Sequence, residues 1–201
     1  MLVQGIKSRP QYEGLRPDNH ASNHIIVADS EGAQAVLDML ALMDRPLKGC
    51  ATIIYAKAGF DEDRYEVELY RSPVNRMHVC PSLATAIKKL DAILAGTKMG
   101  TRIYAAGTET LIGLVVQLAQ ATGLDARSVI TEHRGSLARR VQCVHCKGFT
   151  NNVTTNIVEC SHCGEKLLVR DHYSRRIGAF MGVCANAEDP SDLPAIEEVF
   201  Q

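Results

Sequence analysis

Cys143-Val144-His145-Cys146 and, after thirteen residues, Cys160-Ser161-His162-Cys163 decide how the second half of this 201-residue chain folds. Each Cys-x-x-Cys pair, bent into a tight turn, offers two sulfurs to one ion from one side, and two such turns facing each other complete a tetrahedron. Lys147-Gly148 and Gly164 follow the second cysteine of each pair, where the chain must reverse without a bulky Cβ. Phe149 to Glu159, between the pairs, is polar and rich in Thr, Asn and Val, a composition that predicts a short hairpin rather than a helix. The stretch therefore predicts a small β zinc ribbon whose ligands are Cys143, Cys146, Cys160 and Cys163. Four thiolates also satisfy iron, in a rubredoxin-like site or a cluster, so the spacing leaves zinc and iron both open. His145 and His162 lie inside the turns, where side chains normally point away from the ion, and are read as surface or supporting groups rather than ligands.

The same four cysteines joined as two disulfides would need an oxidising compartment, and Met1 to Gly14 holds no apolar run that would export the chain. A thioredoxin-like redox pair would place one Cys-x-x-Cys at the start of a helix, not two in tandem. The expected setting is the reducing cytoplasm. Of the seven cysteines, Cys50, Cys80 and Cys184 fall outside the pairs and are expected to be small buried residues.

With 46 % hydrophobic residues and a formal net charge of -1, the chain has material for one full core and a small module. No apolar run approaches the roughly 20 residues of a membrane-spanning helix. Balanced charge gives no general attraction to nucleic acid; its basic clusters are Arg134 with Arg139-Arg140, and Arg170 with Arg175-Arg176.

Upstream of the cysteines the pattern changes. Residues 1–22 are a polar lead-in with Pro10 and Pro17, expected to be an extended arm. His24 to Asp29 is a short apolar, β-branched run that fits a buried parallel strand, followed by a helix carrying Ala33, Val36, Leu37, Leu40 and Met43, with Ser30 as N-cap and its end at Asp44 to Pro46. Cys50 to Ala58 predicts a second strand, Gly59 to Asp63 an acidic turn, Arg64 to Tyr70 a short edge element, and Met77 to Cys80 another brief strand. Ser82 to Leu94 and Gly107 to Gln120 predict helices closed by Gly96 and Gly123, with strands at Thr101 to Ala106 and Val129 to His133. Strands alternating with helices argue for an α/β, Rossmann-like parallel sheet over 23–136, then the ribbon and a docking segment over 137–187, and a tail over 188–201.

Ligands of such sheets sit at the carboxyl ends of the strands, so Asp29 to Gly32 and Ala106 to Glu109 are where a nucleotide would bind. From His24 to about Glu132 the order of elements resembles the NAD(P)-binding half of ferredoxin reductases. His-Ile-Ile-Val-Ala-Asp-Ser-Glu-Gly at 24–32 stands where that family has a strand and a glycine-rich loop. Arg-Ile-Tyr-Ala-Ala-Gly-Thr-Glu-Thr-Leu-Ile at 102–112 stands where it has a strand, Cys-Gly-Pro and a helix, and Ser128 to Glu132 matches a strand ending in an acidic residue. The resemblance implies the fold. Ala106 in place of the cysteine, Thr108 in place of the proline, one glycine per turn, the charges of Asp29 and Glu31 and the lack of an upstream flavin barrel speak against NAD(P)H binding.

The segment from Cys160 to Val183, Cys-Ser-His-Cys-Gly-Glu-Lys-Leu-Leu-Val-Arg-Asp-His-Tyr-Ser-Arg-Arg-Ile-Gly-Ala-Phe-Met-Gly-Val, resembles the small zinc-ribbon subunit of bacterial dimethylamine monooxygenase. That resemblance implies an accessory, non-catalytic subunit of a haem-dependent, NADPH-consuming complex that demethylates dimethylamine to methylamine and formaldehyde. The haem then belongs to a catalytic partner subunit, and the flavin and iron–sulfur cluster to a reductase subunit. Arg170, His172, Tyr173, Arg175, Arg176 and Phe180 combine arginine, aromatic and apolar character as interface anchors do, and are the expected docking residues. The plainer reading is a solvated charged face over an apolar strip that packs under the ribbon. His172 beside Asp171 is read as a hydrogen-bonded structural residue in preference to a haem ligand. Glu109, Glu132 and His133 fall near strand ends without a partnering nucleophile, so no catalytic residue is assigned. Two other functions stand beside the accessory role: an electron-transfer subunit with iron in the four-cysteine site, and a ribbon-type nucleic-acid-binding regulator.

Overall fold

The computed structural model describes residues 8–43, 50–57, 64–188 and 193–201, without the side chain of Cys50. The helix end expected at Asp44 to Pro46 and the turn at Gly59 to Asp63 lie outside the described residues, as do residues 1–7 of the lead-in and 189–192 of the tail. Two compact units form: an α/β unit, Tyr12–Gly135, and a β unit of residues 8–11 with Ser136–Gln201.

The α/β unit is a sheet of five parallel strands, β1 (Asn23–Asp29), β2 (Cys50–Ala56), β3 (Arg76–Cys80), β4 (Thr101–Gly107) and β5 (Val129–His133), in the order β3-β2-β1-β4-β5. This is the Rossmann-like fold expected. The apolar runs of β1, β2 and β4 are continuous because both faces are covered, and alternate residues feed two cores. Ile26, Ala28, Ile53, Tyr55 and Tyr104 meet α1 (Ala33–Ala41) and α2 (Arg64–Arg71), while Ile25, Val27, Ile54, Ile103 and Ala105 meet α3 (Leu83–Leu94) and α4 (Glu109–Ala121). Local caps explain where α3 and α4 begin: the hydroxyls of Ser82 and Thr108 accept from the backbone N–H of Thr85 and Leu111.

Two expectations fail here. Arg64 to Tyr70 is a helix, not an edge element. The alternation of Tyr65, Val67 and Leu69 suggested a strand, but Tyr65 and Leu69, four apart, pack inward while Val67 is 50 % exposed, which is a helical stripe. The edge strands of the sheet are β3 and β5. Ser30 is not the N-cap of α1: that position is Gly32, whose N–H donates to the Asp29 carboxylate, and Ser30 Oγ instead accepts from the Tyr55 hydroxyl at 3.3 Å. Cys80 is buried as expected, whereas Cys184 is only half-buried, its thiol donating to Glu165 at 3.2 Å, because the strand Ala179–Cys184 ends there at the margin of its sheet.

Near the amino end of β1, His24 is buried and stacked on Tyr104 of β4, with Nδ1 3.1 Å from the tyrosine hydroxyl, and that hydroxyl accepts from the N–H of Asp18. Burial lowers the His24 pKa below its ordinary 6.5, against the weaker pull of Asp18. Since the folded chain refuses a proton that the unfolded chain takes up, stability falls as pH drops from about 6.5 toward the folded pKa. His78, lowered by burial and then by Lys89 and Arg76, acts with the same sign. His24→Phe should therefore flatten the dependence of the urea midpoint on pH between 7.5 and 5.5; equal slopes for the two proteins would refute the assignment.

The β unit is a five-stranded sheet of β6 (Arg139–Cys143), β7 (Phe149–Val153), β8 (Ile157–Glu159), β9 (Lys166–Ser174) and β10 (Ala179–Cys184), in the order β7-β6-β10-β9-β8. The hairpin expected over Phe149 to Glu159 does not form. Its two halves are strands at opposite edges, β7 antiparallel to β6 and β8 antiparallel to β9, because each is joined to its partner through a cysteine turn, β6 to β7 by the first and β8 to β9 by the second. The last residues close this unit: Thr155 bridges Glu198, the N–H groups of Val199 and Phe200 donate to Thr154, and Phe200 joins the core of Val141, Val153, Leu167, Val169 and Phe180.

Candidate metal centre

Cys143 closes β6 and Cys146 lies in the turn before β7; Cys160 follows β8 and Cys163 lies in the turn before β9. The two turns are built alike. In the first, Lys147 N–H donates to Cys143 O and Cys143 N–H to Gly148 O; in the second, Gly164 N–H donates to Cys160 O and Cys160 N–H to Glu165 O, all at 2.8–3.0 Å. Each turn needs one residue with positive φ after its second cysteine, and these are Lys147 at 63° and Gly164 at 77°. The sequence pointed to Gly148 as half of that reversal. Its own requirement is space: a Cβ there would lie 2.6 Å from the His162 ring.

The residue strain differs between the turns, which gives a paired test. Lys147→Gly should stabilise the metal-loaded protein by about 1 kcal/mol, since a side chain is disfavoured at that φ, and Gly164→Ala should cost about as much, its Cβ meeting nothing within 4 Å. Denaturant midpoints of the two variants on the same side of the parent would contradict this account.

All four sulfurs lie within 4.8 Å of one another, with Cys143 and Cys163 at 3.9 Å and Cys146 and Cys160 at 3.6 Å. A thiolate tetrahedron around an ion at about 2.3 Å has edges of roughly 3.8 Å, so the cluster is close to the size that one ion needs. Burial opposes ionisation of Cys160, yet the N–H groups of Cys163 and His162 and the neighbouring thiols outweigh it, and its pKa falls to about 6. Cys163 receives help from the N–H of Glu165, but burial and the other three thiols push it up to about 12. Four anions this close need a cation, and with four ligands a tetrahedral ion keeps no open position for substrate. Zinc and iron both satisfy that donor set. Cys143 and Cys160 are buried while Cys146 and Cys163 are exposed, so one edge of the tetrahedron faces outward with His145 and His162.

Of the expected docking residues, all but Phe180 are at least partly exposed. Arg175 and Arg176 are exposed in the turn between β9 and β10, His172 is exposed, and Arg170 is half-buried. Tyr173 packs edge-on against Phe180 at 5.0 Å, and Phe180, 2 % exposed, is core: the Arg139 guanidinium lies over its ring at 3.9 Å and leaves it no surface to offer. Arg139 and Arg140 also leave the basic clusters read from the sequence, being 5 % and 7 % exposed. Arg139 is held between Phe180 and Phe200 and paired to Asp171, while Arg140 lies over Phe149 and donates to the carbonyls of Ile177 and Gly178. Phosphate contacts by those two are thereby ruled out. In the α/β unit, Glu132 accepts from the N–H of Leu15 and from Arg134, Glu109 accepts from the Tyr12 hydroxyl at 3.1 Å, and His133 stacks on Tyr12.

The description "dimethylamine monooxygenase subunit DmmA-like" matches in two parts, its N-terminal domain over residues 4–129 and its C-terminal domain over residues 140–183. The chain belongs to this DmmA-like family. A curated relative from Ectopseudomonas mendocina (strain ymp), the heme-dependent oxidative N-demethylase delta subunit, is 34 % identical over 110 residues, which are 55 % of this chain and 63 % of the relative. The matched part thus spans under two thirds of that relative's length. Among solved structures, an intact type IV self-sufficient cytochrome P450 monooxygenase aligns at 20 % identity with a TM-score of 0.46, over 64 % of this chain and 18 % of that one. A point mutant of ferredoxin-NADP+ reductase from Plasmodium falciparum, in complex with 2'P-AMP, aligns at 15 % identity with a TM-score of 0.35, over 56 % of this chain and 51 % of that one. Among the described residues of this DmmA-like chain, no helix is long and apolar enough to cross a membrane.

Proposed function

We propose that this chain is an accessory subunit of a haem-dependent oxidative N-demethylase complex that converts dimethylamine to methylamine and formaldehyde at the expense of NADPH. The observation that carries the reading is the closed four-cysteine cluster in a chain of this family: the site binds an ion without leaving a coordination position for substrate. Zinc is the ion proposed, held by Cys143, Cys146, Cys160 and Cys163, and its work is to hold the β unit together. The partners are a haem-containing catalytic subunit and a flavin and iron–sulfur reductase subunit, met in the cytoplasm. Arg170, His172, Arg175 and Arg176 are the proposed docking groups, with Tyr173 and Phe180 bracing the turn from beneath.

Co-expression of the chain with those two subunits tests the reading. Arg175→Ala combined with Arg176→Ala should weaken assembly about tenfold or more while leaving the metal in place. Failure of the parent chain to co-purify with either subunit sinks the accessory role; unchanged affinity of the double variant sinks only the docking residues.

A second reading rests on the outward edge formed by Cys146 and Cys163. Iron in the same site would make the subunit an electron relay between reductase and haem. Elemental analysis and an absorption spectrum of one sample decide: about one zinc per chain and no visible bands support the structural role, whereas iron with bands that bleach on reduction supports the relay.

A further inference from the structure

The strand order puts β1 beside β4, and their connections leave in opposite directions, β1 toward β2 and β4 toward β5. This is the switch point at which open α/β sheets hold their ligands, and the N-termini of α1 and α4 open on it. A dinucleotide would set its phosphates against the free N–H groups there. In this chain the N–H groups of the two cap residues, Gly32 and Thr108, are already taken. Asp29, the last residue of β1, accepts from Gly32 N–H through Oδ1 at 3.0 Å, and through Oδ2 from both the N–H and the hydroxyl of Thr108, at 2.9 and 2.8 Å. One carboxylate thus receives a donor at the start of each helix.

The loops close tightly over it. A Cβ on Gly32 would lie 2.0 Å from the carbonyl oxygen of Ala106, and a Cβ on Gly107, where φ is +138°, would lie 2.0 Å from Asp29 Oδ1. The glycines of these turns let the chain approach itself, not a pyrophosphate. The rest of the rim is acidic as well. Glu31 lies against Gly135, Glu109 sits in the first turn of α4 beneath Tyr12, and Glu132 already holds Arg134. NAD(P)H does not fit these residues: its phosphates would have to evict one carboxylate and face three others.

We infer that the Asp29 carboxylate is a built-in substitute for the phosphate of a dinucleotide, sealing the switch point so that the α/β unit keeps the architecture of a nucleotide-binding domain without the binding. The charge that a cofactor brings to such a fold is supplied here by the chain, which makes the seal part of folding rather than of catalysis. This holds whether or not the chain joins the complex proposed above.

The test uses the full chain, with NADPH and inorganic phosphate as probes. The parent should show no saturable NADPH binding with a Kd below about 1 mM by titration calorimetry, and its Tm should not respond to phosphate. Asp29→Ser, which empties the seat but leaves its donors, should lower Tm by roughly 5–10 °C and regain part of the loss in phosphate. Asp29→Asn keeps the shape, loses the charge and should also melt earlier, so it serves if the serine variant does not fold. Micromolar NADPH binding by the parent, or a Tm unchanged in both variants, overturns the inference.

Discussion

Cys160→Ser should strip the ion and unfold the β unit, while the five parallel strands of the α/β unit keep their hydrogen-exchange protection. Two of the four proposed ligands, Cys143 and Cys160, are themselves part of the buried cluster formed with Val141, Val153, Leu167, Val169, Phe180 and Phe200, so an ion held by them would be continuous with the core. A core this small supplies only about 3–5 kcal/mol at best, whereas a structural tetrathiolate site contributes on the order of 10 kcal/mol. Serine offers no thiolate, and the remaining three sulfurs hold the ion far less firmly. Residue-resolved exchange on the parent, the variant and the chelator-treated parent reads the effect directly. Protection of β9 and β10 that survives loss of the metal would show that the sheet stands without it.

Asp171→Ala should cost about 3 kcal/mol, many times the effect of an exposed ion pair. Arg139 is buried between the rings of Phe180 and Phe200, its guanidinium carbon 3.9 and 3.8 Å from their centroids, and Nη2 donates to Asp171 at 2.6 Å. The other carboxylate oxygen of Asp171 accepts from Arg9 Nε at 3.0 Å. Removing the carboxylate leaves a positive charge in the core without its counter-ion and frees the Arg9 side chain from β9. Lys166 and Glu159, paired at 2.6 Å on the surface, are the control: Glu159→Ala should leave stability nearly unchanged. Burial works against ionisation of Asp171, but the hydrogen bonds from Arg9 and Arg139 win and its pKa lies below the ordinary 3.8. Its contribution is therefore present at neutral pH and lost as pH falls below about 4. Denaturant midpoints at pH 7 that differ between parent and Asp171→Ala by less than the surface control would refute the account.

The site and the fold were legible to different degrees. Both cysteine turns follow from spacing, because a Cys-x-x-Cys turn and its N–H···O bonds close within six residues. Strands β1, β2 and β4 follow from short β-branched runs, and the starts of α3 and α4 from a hydroxyl three residues ahead of the N–H it caps. The stretch 64–71 misled because a helix and a strand share positions four apart, and only packing of Tyr65 and Leu69 on the sheet separates them. Phe149 to Glu159 misled for a similar reason: its composition favours strands but says nothing about which neighbour each strand finds.

Local chemistry in the sequence determined that this chain would bring four cysteine sulfurs together and would alternate strands with helices before them, since those signals span a few residues. Tertiary structure alone decided the rest. Asp29 meets Thr108 across 79 residues, and Arg139 meets Asp171 across 32. At such separations a charge carries no mark of whether it will be solvated or buried. Arg139 and Arg140 look like surface on paper and become core because Phe149, Phe180 and Phe200 are carried to them by strand order and by the returning C-terminal segment. Asp29 looks like a loop charge and becomes the seal of the switch point because the sheet sets two helix N-termini around it.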